Sequence, residues 1–188
     1  MDGLRRRQKA VLEACGRTPN GKVAYIDIKQ FYPSITPAMA RKAWRDYCAR
    51  HSIPDLYKSL GFKLYNYALE TSGKSILTGP MFSHFLANLV LETVDHWSDS
   101  LPVSYMRYVD DLTLVGKEAS VRQSIELIRG KLAEAGLQLH GLNSQKTLWV
   151  SCADWVESAA DFQQGEHAIA WMKLIGDVKK LLLFRPET

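Results

Sequence analysis

Three observations predict an α+β fold. A β-rich run covers 23–28 ("VAYIDI"), a strand-turn-strand covers 103–116 ("VSYMRYVDDLTLVG"), and helical patterns fill the chain between and after them. In order the elements read strand, helices, hairpin, helix, strand. That is the β-α-β-β-α-β plan of a ferredoxin-like sheet, with extra helices inserted after the first strand and a short helical segment at the C-terminus. With 188 residues, 46% of them hydrophobic, the chain is large enough to bury the core of one domain.

Each element has its own signal. "GRTPNGK" (16–22) combines Gly, Pro and Asn-Gly, which is turn chemistry, and the first strand follows it. Thr36 before Pro37 predicts a helix start, with Thr as N-cap and Pro at the first helical position. That helix runs over 37–51, and 53–70 reads as one or two more before "TSGKS" breaks the pattern. Residues 79–97 are apolar on nearly all sides and predict a buried helix. Val121, Ile125, Ile128 and Leu132 fall on one face of a helix over 118–136 that stops at Gly136. "LQLH" and "KTLWV" within 137–150 read as two short strands, and 167–184 as a final amphipathic helix.

Composition narrows the class. No apolar run is long enough to span a bilayer and no signal peptide opens the chain, so no membrane partner is expected. Cys15, Cys48 and Cys152 are odd in number and far apart, which argues against a disulfide framework and a zinc site and makes a reducing cytoplasm the expected location. His84, His96, His140 and His167 show no ligand spacing and read as structural or surface residues. "GKS" at 73–75 lacks the glycine that a phosphate loop needs five residues before Gly73; Ala68 stands there. Residues 1–22 carry Arg5, Arg6, Arg7, Lys9, Arg17 and Lys22 against Asp2 and Glu13, which accounts for the whole formal net charge of +4. A basic arm on a neutral body suits phosphate contact, although a solvated helix or a frayed end has the same composition.

The chemistry concentrates in three acids. Asp110 and Asp111 are adjacent carboxylates in a hairpin between apolar strands, and they repel each other unless a cation or strong donors answer them. Asp is also a common turn residue, so either acidic motif alone decides little. In the β-α-β-β-α-β plan, however, the end of the first strand lies beside the hairpin turn, which brings Asp27 toward the pair. Three converging carboxylates suit Mg²⁺, with Mn²⁺ as a substitute. Two such ions about 4 Å apart support phosphoryl transfer.

"YIDIKQFYPSI" followed by "YVDD" resembles the reverse transcriptase family of nucleic-acid polymerases. Between them, "TGPMFSHFLANLVL" is similar to the family's proline-glutamine-glycine, serine and leucine-alanine-asparagine block. After the hairpin, "GLQLHGLNSQKTLWV" is similar to its next block, a glycine-leucine strand followed by lysine-threonine. The four blocks run in order over 23–150. "FYPSI" and "RYVDD" resemble bacterial members of the group II intron and retron kind, and "TGP…S" resembles divergent members linked to phage defence and abortive infection.

The resemblance implies a palm at 23–150, a basic arm or fingers remnant at 1–22, and the helical start of a thumb-like segment at 151–188. It implies RNA-directed, or template-relaxed, transfer of dNTPs to a 3′-hydroxyl. Asp27, Asp110 and Asp111 would hold the metal with the backbone carbonyl of Ile28, and Lys146 would reach the leaving pyrophosphate. Tyr32 matches the aromatic under the nucleotide sugar that excludes a 2′-hydroxyl; Phe31 beside it reads more readily as core. Thr78, Gly79, Ser83 and Asn88 match nucleotide-contacting positions, with Thr78 where relatives have glutamine. Arg5, Arg6, Arg7, Lys9 and Arg107 would meet nucleic acid: an RNA template and primer, or a non-coding RNA. Only 26 residues precede Asp27, too few for fingers, so a protein partner or another segment is expected to supply them.

Two other readings fit the same palm. One is a catalytically idle scaffold in a nucleic-acid-binding complex. The other is a cyclic-dinucleotide synthase, disfavoured because Tyr108 and Val109 stand where that family's turn needs two glycines.

Overall fold

A computed structural model describes residues 2–72, 76, 81–142, 144 and 146–157, the side chains of 2–5 and 68–72 excepted. The elements in chain order are α1 (Asp2–Arg17), β1 (Lys22–Asp27), α2 (Phe31–Ser34), α3 (Pro37–Arg50), α4 (Asp55–Ser72), α5 (Met81–Ser98), β2 (Ser104–Tyr108), β3 (Asp111–Gly116), α6 (Glu118–Glu134) and β4 (Leu148–Ser151). A helical turn over 152–157 follows. The four strands form one antiparallel sheet in the order β2-β3-β1-β4, so the expected α+β class holds. No helix among the described residues is long and apolar enough to cross a membrane.

Alternation along β1 assigns its two faces. Ala24 and Ile26, with Leu112 and Leu114 of β3, point into the main core. There they meet Val121, Ile125, Ile128 and Leu132 of α6, all four expected on one face and all fully buried. Burying side chains of this size contributes about 1.5–3 kcal/mol each, which fixes α6 against the sheet. The α6 C-terminus is closed as expected. Gly136 has φ +75°, its amide donates to the Ala133 carbonyl, and the Leu137 amide reaches back to Leu132 at 2.9 Å. Thr36 caps α3 by accepting the Met39 amide, with Pro37 at the first position.

α3 and α4 meet where Gly61 faces Trp44. A β-carbon at Gly61 would overlap the indole, whose Nε1 donates to the Lys58 carbonyl at 3.1 Å. α5 buries Ser83, Leu86, Ala87, Leu91, Val94 and Ser98 but leaves Met81 84% exposed. The helix expected to be buried all round is therefore amphipathic.

The opposite face of the sheet carries Val23 and Val115, and it is covered by α1 through Val11, Ala14 and Cys15. Residues 2–17 thus form a packed helix and not a loose arm. Leu139 makes only an isolated bridge to Ile28, so "LQLH" is not a strand. Thr78, Gly79 and the helix expected over 167–184 lie outside the described residues, as do the Arg5 side chain and most of the thumb-like segment.

Candidate metal centre

The register of β1 against β3 builds the site. Asp27 is the Cα partner of Asp111, at the end of the β1–β3 ladder. Tyr108 pairs with Asp111 in turn, leaving Val109 and Asp110 as a two-residue turn. Side chains at Asp27, Tyr25, Asp111 and Thr113 share the face covered by α1, because alternate residues of paired strands project together. One carboxylate oxygen from each of Asp27, Asp110 and Asp111 lies within 4.8 Å of the other two.

The turn is strained and pinned. Val109 has φ +59°, a conformation that a β-branched residue rarely adopts. Arg107 offsets that cost. Its Nη1 donates to the Val109 carbonyl at 2.7 Å and to Asn88 Oδ1 at 2.9 Å, while Nε and Nη2 grip Asp95 at 2.8 and 2.5 Å. The Ile28 amide donates to the Asp110 carbonyl at 3.2 Å, tying the end of β1 to the same turn.

The electrostatics match three acids held close without enough donors. Burial, then the charges of Asp110 and Asp111, raise the Asp27 carboxyl above its ordinary range; His140 and Lys146 act in the opposite sense. His140 Nε2 stands 3.9 Å from Asp27 Oδ2. The other oxygen, Oδ1, is buried and has no hydrogen-bond partner among the described residues. An all-oxygen donor set with an orphaned carboxylate oxygen fits a hard divalent cation such as Mg²⁺ or Mn²⁺.

A cation from the chain itself also approaches. Arg7 of α1 places Nη1 3.7 Å from Asp111 Oδ2, with its guanidinium over the rings of Tyr25 (5.3 Å) and Tyr108 (5.5 Å). That Nη1 is likewise buried without a hydrogen-bond partner among the described residues. Burial and the neighbouring Asp111 push the Tyr25 hydroxyl up to about 12.

The remaining residues singled out in the sequence divide clearly. Lys146 is exposed yet near enough to act on Asp27. Tyr32, in α2 just past β1, feels the charge of Asp110 and hydrogen-bonds His84 Nδ1. Ile28, Phe31 and Ser83 are buried. Asn88 is exposed and bridges the His84 carbonyl to Arg107, so its polar groups serve the scaffold. Arg107, expected on nucleic acid, spends its donors inside the fold. Arg6 is exposed, as is Lys9, which pairs with Glu13 at 3.9 Å. Sequence reading passed over Asp95 and took His84 and His140 as structural or surface residues. The spacing of Asp95 and Arg107 carries no motif, and His84 and His140 lack ligand spacing because neither belongs to a histidine cluster. No protein-family model matches the chain, and no curated protein matches it.

Proposed function

We propose that the chain is a reverse-transcriptase-like palm that extends a nucleic-acid 3′ end with dNTPs. The observation that carries this reading is the convergence of Asp27, Asp110 and Asp111 within 4.8 Å, two of them on a hairpin turn and one at the end of the neighbouring strand. The strand order β2-β3-β1-β4, with helices between β1 and β2 and between β3 and β4, supports describing the sheet as a ferredoxin-like palm. Bound divalent cations would supply activation of the attacking 3′-hydroxyl and charge neutralisation at the phosphates.

The chain's own residues do the rest. The three carboxylates present oxygen ligands from a backbone held by Arg107 and the Ile28 amide. Lys146 and His140 lie on the Asp27 side, where they offset negative charge and suit the phosphate tail of a nucleotide. Tyr32, which feels the charge of Asp110, is the residue that would read the sugar. RNA template and primer, a further segment or protein partner supplying fingers, and a role in phage defence belong to the same proposal.

Primer extension tests it. The chain is incubated with Mg²⁺, a primed RNA template and labelled dNTPs, beside Asp110→Asn. Extension by the wild type and none by the variant is expected. Equal extension by both would remove the acids from the chemistry.

Arg7 favours a second reading. A guanidinium beside Asp111 partly neutralises the site without any metal, as an idle scaffold palm would require. Such a scaffold would bind nucleic acid but incorporate nothing in either Mg²⁺ or Mn²⁺.

A further inference from the structure

Tyr32 and His84 are 52 residues apart and meet through a single hydrogen bond between the phenol oxygen and imidazole Nδ1. Their rings stand edge to face, with centroids 5.4 Å apart and planes at 86°. Phe31, buried at the start of α2, also meets the phenol ring edge-on, with centroids 5.6 Å apart. The ring is therefore packed on Phe31 and held against swinging sideways by one polar contact at its tip. The His84 backbone is linked in turn to the hairpin. Its carbonyl accepts Asn88 Nδ2 at 2.9 Å, and the same amide's oxygen takes Arg107 Nη1, which also holds the Val109 carbonyl. A continuous chain of contacts thus runs from the turn bearing Asp110, through Arg107, Asn88 and His84, to the Tyr32 hydroxyl.

We propose that His84 is the positioning residue that sets sugar selectivity, by holding the Tyr32 ring in register with the Asp110 turn. This rests on the polymerase reading above. A ring that excludes a 2′-hydroxyl works by steric fit, and a tilt of a fraction of an ångström opens the space it must close. Nδ1 accepts the Tyr32 hydrogen bond when the imidazole carries its proton on Nε2. Tyr32 is suited to donate it, because burial and the Asp110 charge keep the phenol protonated. With His84 truncated, the ring keeps its packing on Phe31 but loses the contact that stops its tip from swinging.

The test is single-nucleotide incorporation of dNTPs and NTPs by the wild type, His84→Ala, His84→Gln, Tyr32→Phe and the double variant His84→Ala/Tyr32→Phe. His84→Ala and Tyr32→Phe should each lower the dNTP preference by about tenfold, the worth of one hydrogen bond. The change should appear as a lower KM for NTPs. The double variant should be no worse than either single one, and the amide of His84→Gln should restore most of the preference. ¹⁵N NMR of the His84 ring reads the bond without turnover, and its Nδ1 signal should shift in Tyr32→Phe.

Unchanged selectivity in His84→Ala overturns the inference while leaving the polymerase reading standing. So does a His84→Ala effect that persists in full in the Tyr32→Phe background, or an Nδ1 signal that Tyr32→Phe leaves in place. A wild type that incorporates neither nucleotide overturns the polymerase reading, and this inference with it.

Discussion

Asp27 and Asp111 face each other as register partners across β1 and β3, on the sheet face that α1 covers. Two carboxylates in cross-strand register destabilise a sheet. Here a third, Asp110, follows in the turn, and Asp27 Oδ1 is left buried without a donor among the described residues. A cost of this kind is kept where it serves a site.

Neutralising one of these acids should therefore stabilise the metal-free protein. Asp27→Asn is expected to raise the Tm by about 2–4 °C in chelator, corresponding to roughly 1 kcal/mol in a chain of this size. Thermal melts with EDTA read it directly. A fall in Tm would show that the Asp27 carboxylate is held by favourable contacts.

Arg7 would compete with a divalent cation for Asp111. Arg7→Gln should tighten Mn²⁺ binding by about tenfold, since a charge 3.7 Å from the carboxylate is removed from a partly buried place. Calorimetric titration measures this. Weaker binding in the variant would mean that Arg7 orients Asp111 for the metal.

Arg107 holds the strained turn at Val109 and is gripped by Asp95. Its removal leaves the half-buried Asp95 carboxylate with only the Tyr105 hydroxyl and the turn with only the Ile28 amide on the Asp110 carbonyl. Arg107→Ala should cost about 2–4 kcal/mol. Arg107→Lys should recover little of that, because one ammonium cannot serve Asp95, Asn88 and Val109 together. Urea denaturation of both variants tests this, and a neutral Arg107→Lys would contradict it.

At Gly61, a methyl group meets the Trp44 indole between α3 and α4. Gly61→Ala should destabilise the protein by about 1–3 kcal/mol despite the better helix propensity of alanine. A stabilised variant would mean that α4 can shift away from Trp44.

Burial pushes the Cys15 thiol up from 9.0 to about 12, helped by neighbouring Cys152. Between pH 9 and 12 the unfolded chain loses this proton and the folded chain keeps it. Stability should therefore fall as pH rises through that window. Cys15→Ala should make the alkaline decline shallower. An unchanged slope would show that Cys15 ionises equally in both states.

Much of the fold was legible because its signals are local. Thr36-Pro37 caps a helix wherever it occurs, Gly136 stops one, and the spacing from Val121 to Leu132 allows one buried face. The three acids were legible because the order of elements brings the end of the first strand to the hairpin. α1 was missed although Val11, Ala14 and Cys15 fall at helical spacing; three consecutive arginines drew attention to charge instead. α5 was read as wholly buried because composition ignores which side faces solvent, and Met81 and Phe85 lie outward. Arg107 was given to nucleic acid because a sequence shows a charge and not its partner. Asp95, twelve residues earlier on a helix, becomes that partner only when the fold brings α5 beside β2. His84 looked isolated for the same reason.

Calorimetric titration of the chain with Mg²⁺ and Mn²⁺ decides whether Asp27, Asp110 and Asp111 together hold a divalent cation. The wild type should bind saturably, and Asp27→Asn and Asp110→Asn should each weaken binding about tenfold or more while melting as cooperatively as the wild type. Identical isotherms for all three proteins would contradict it, leaving the acids as a costly turn with no ion to answer them.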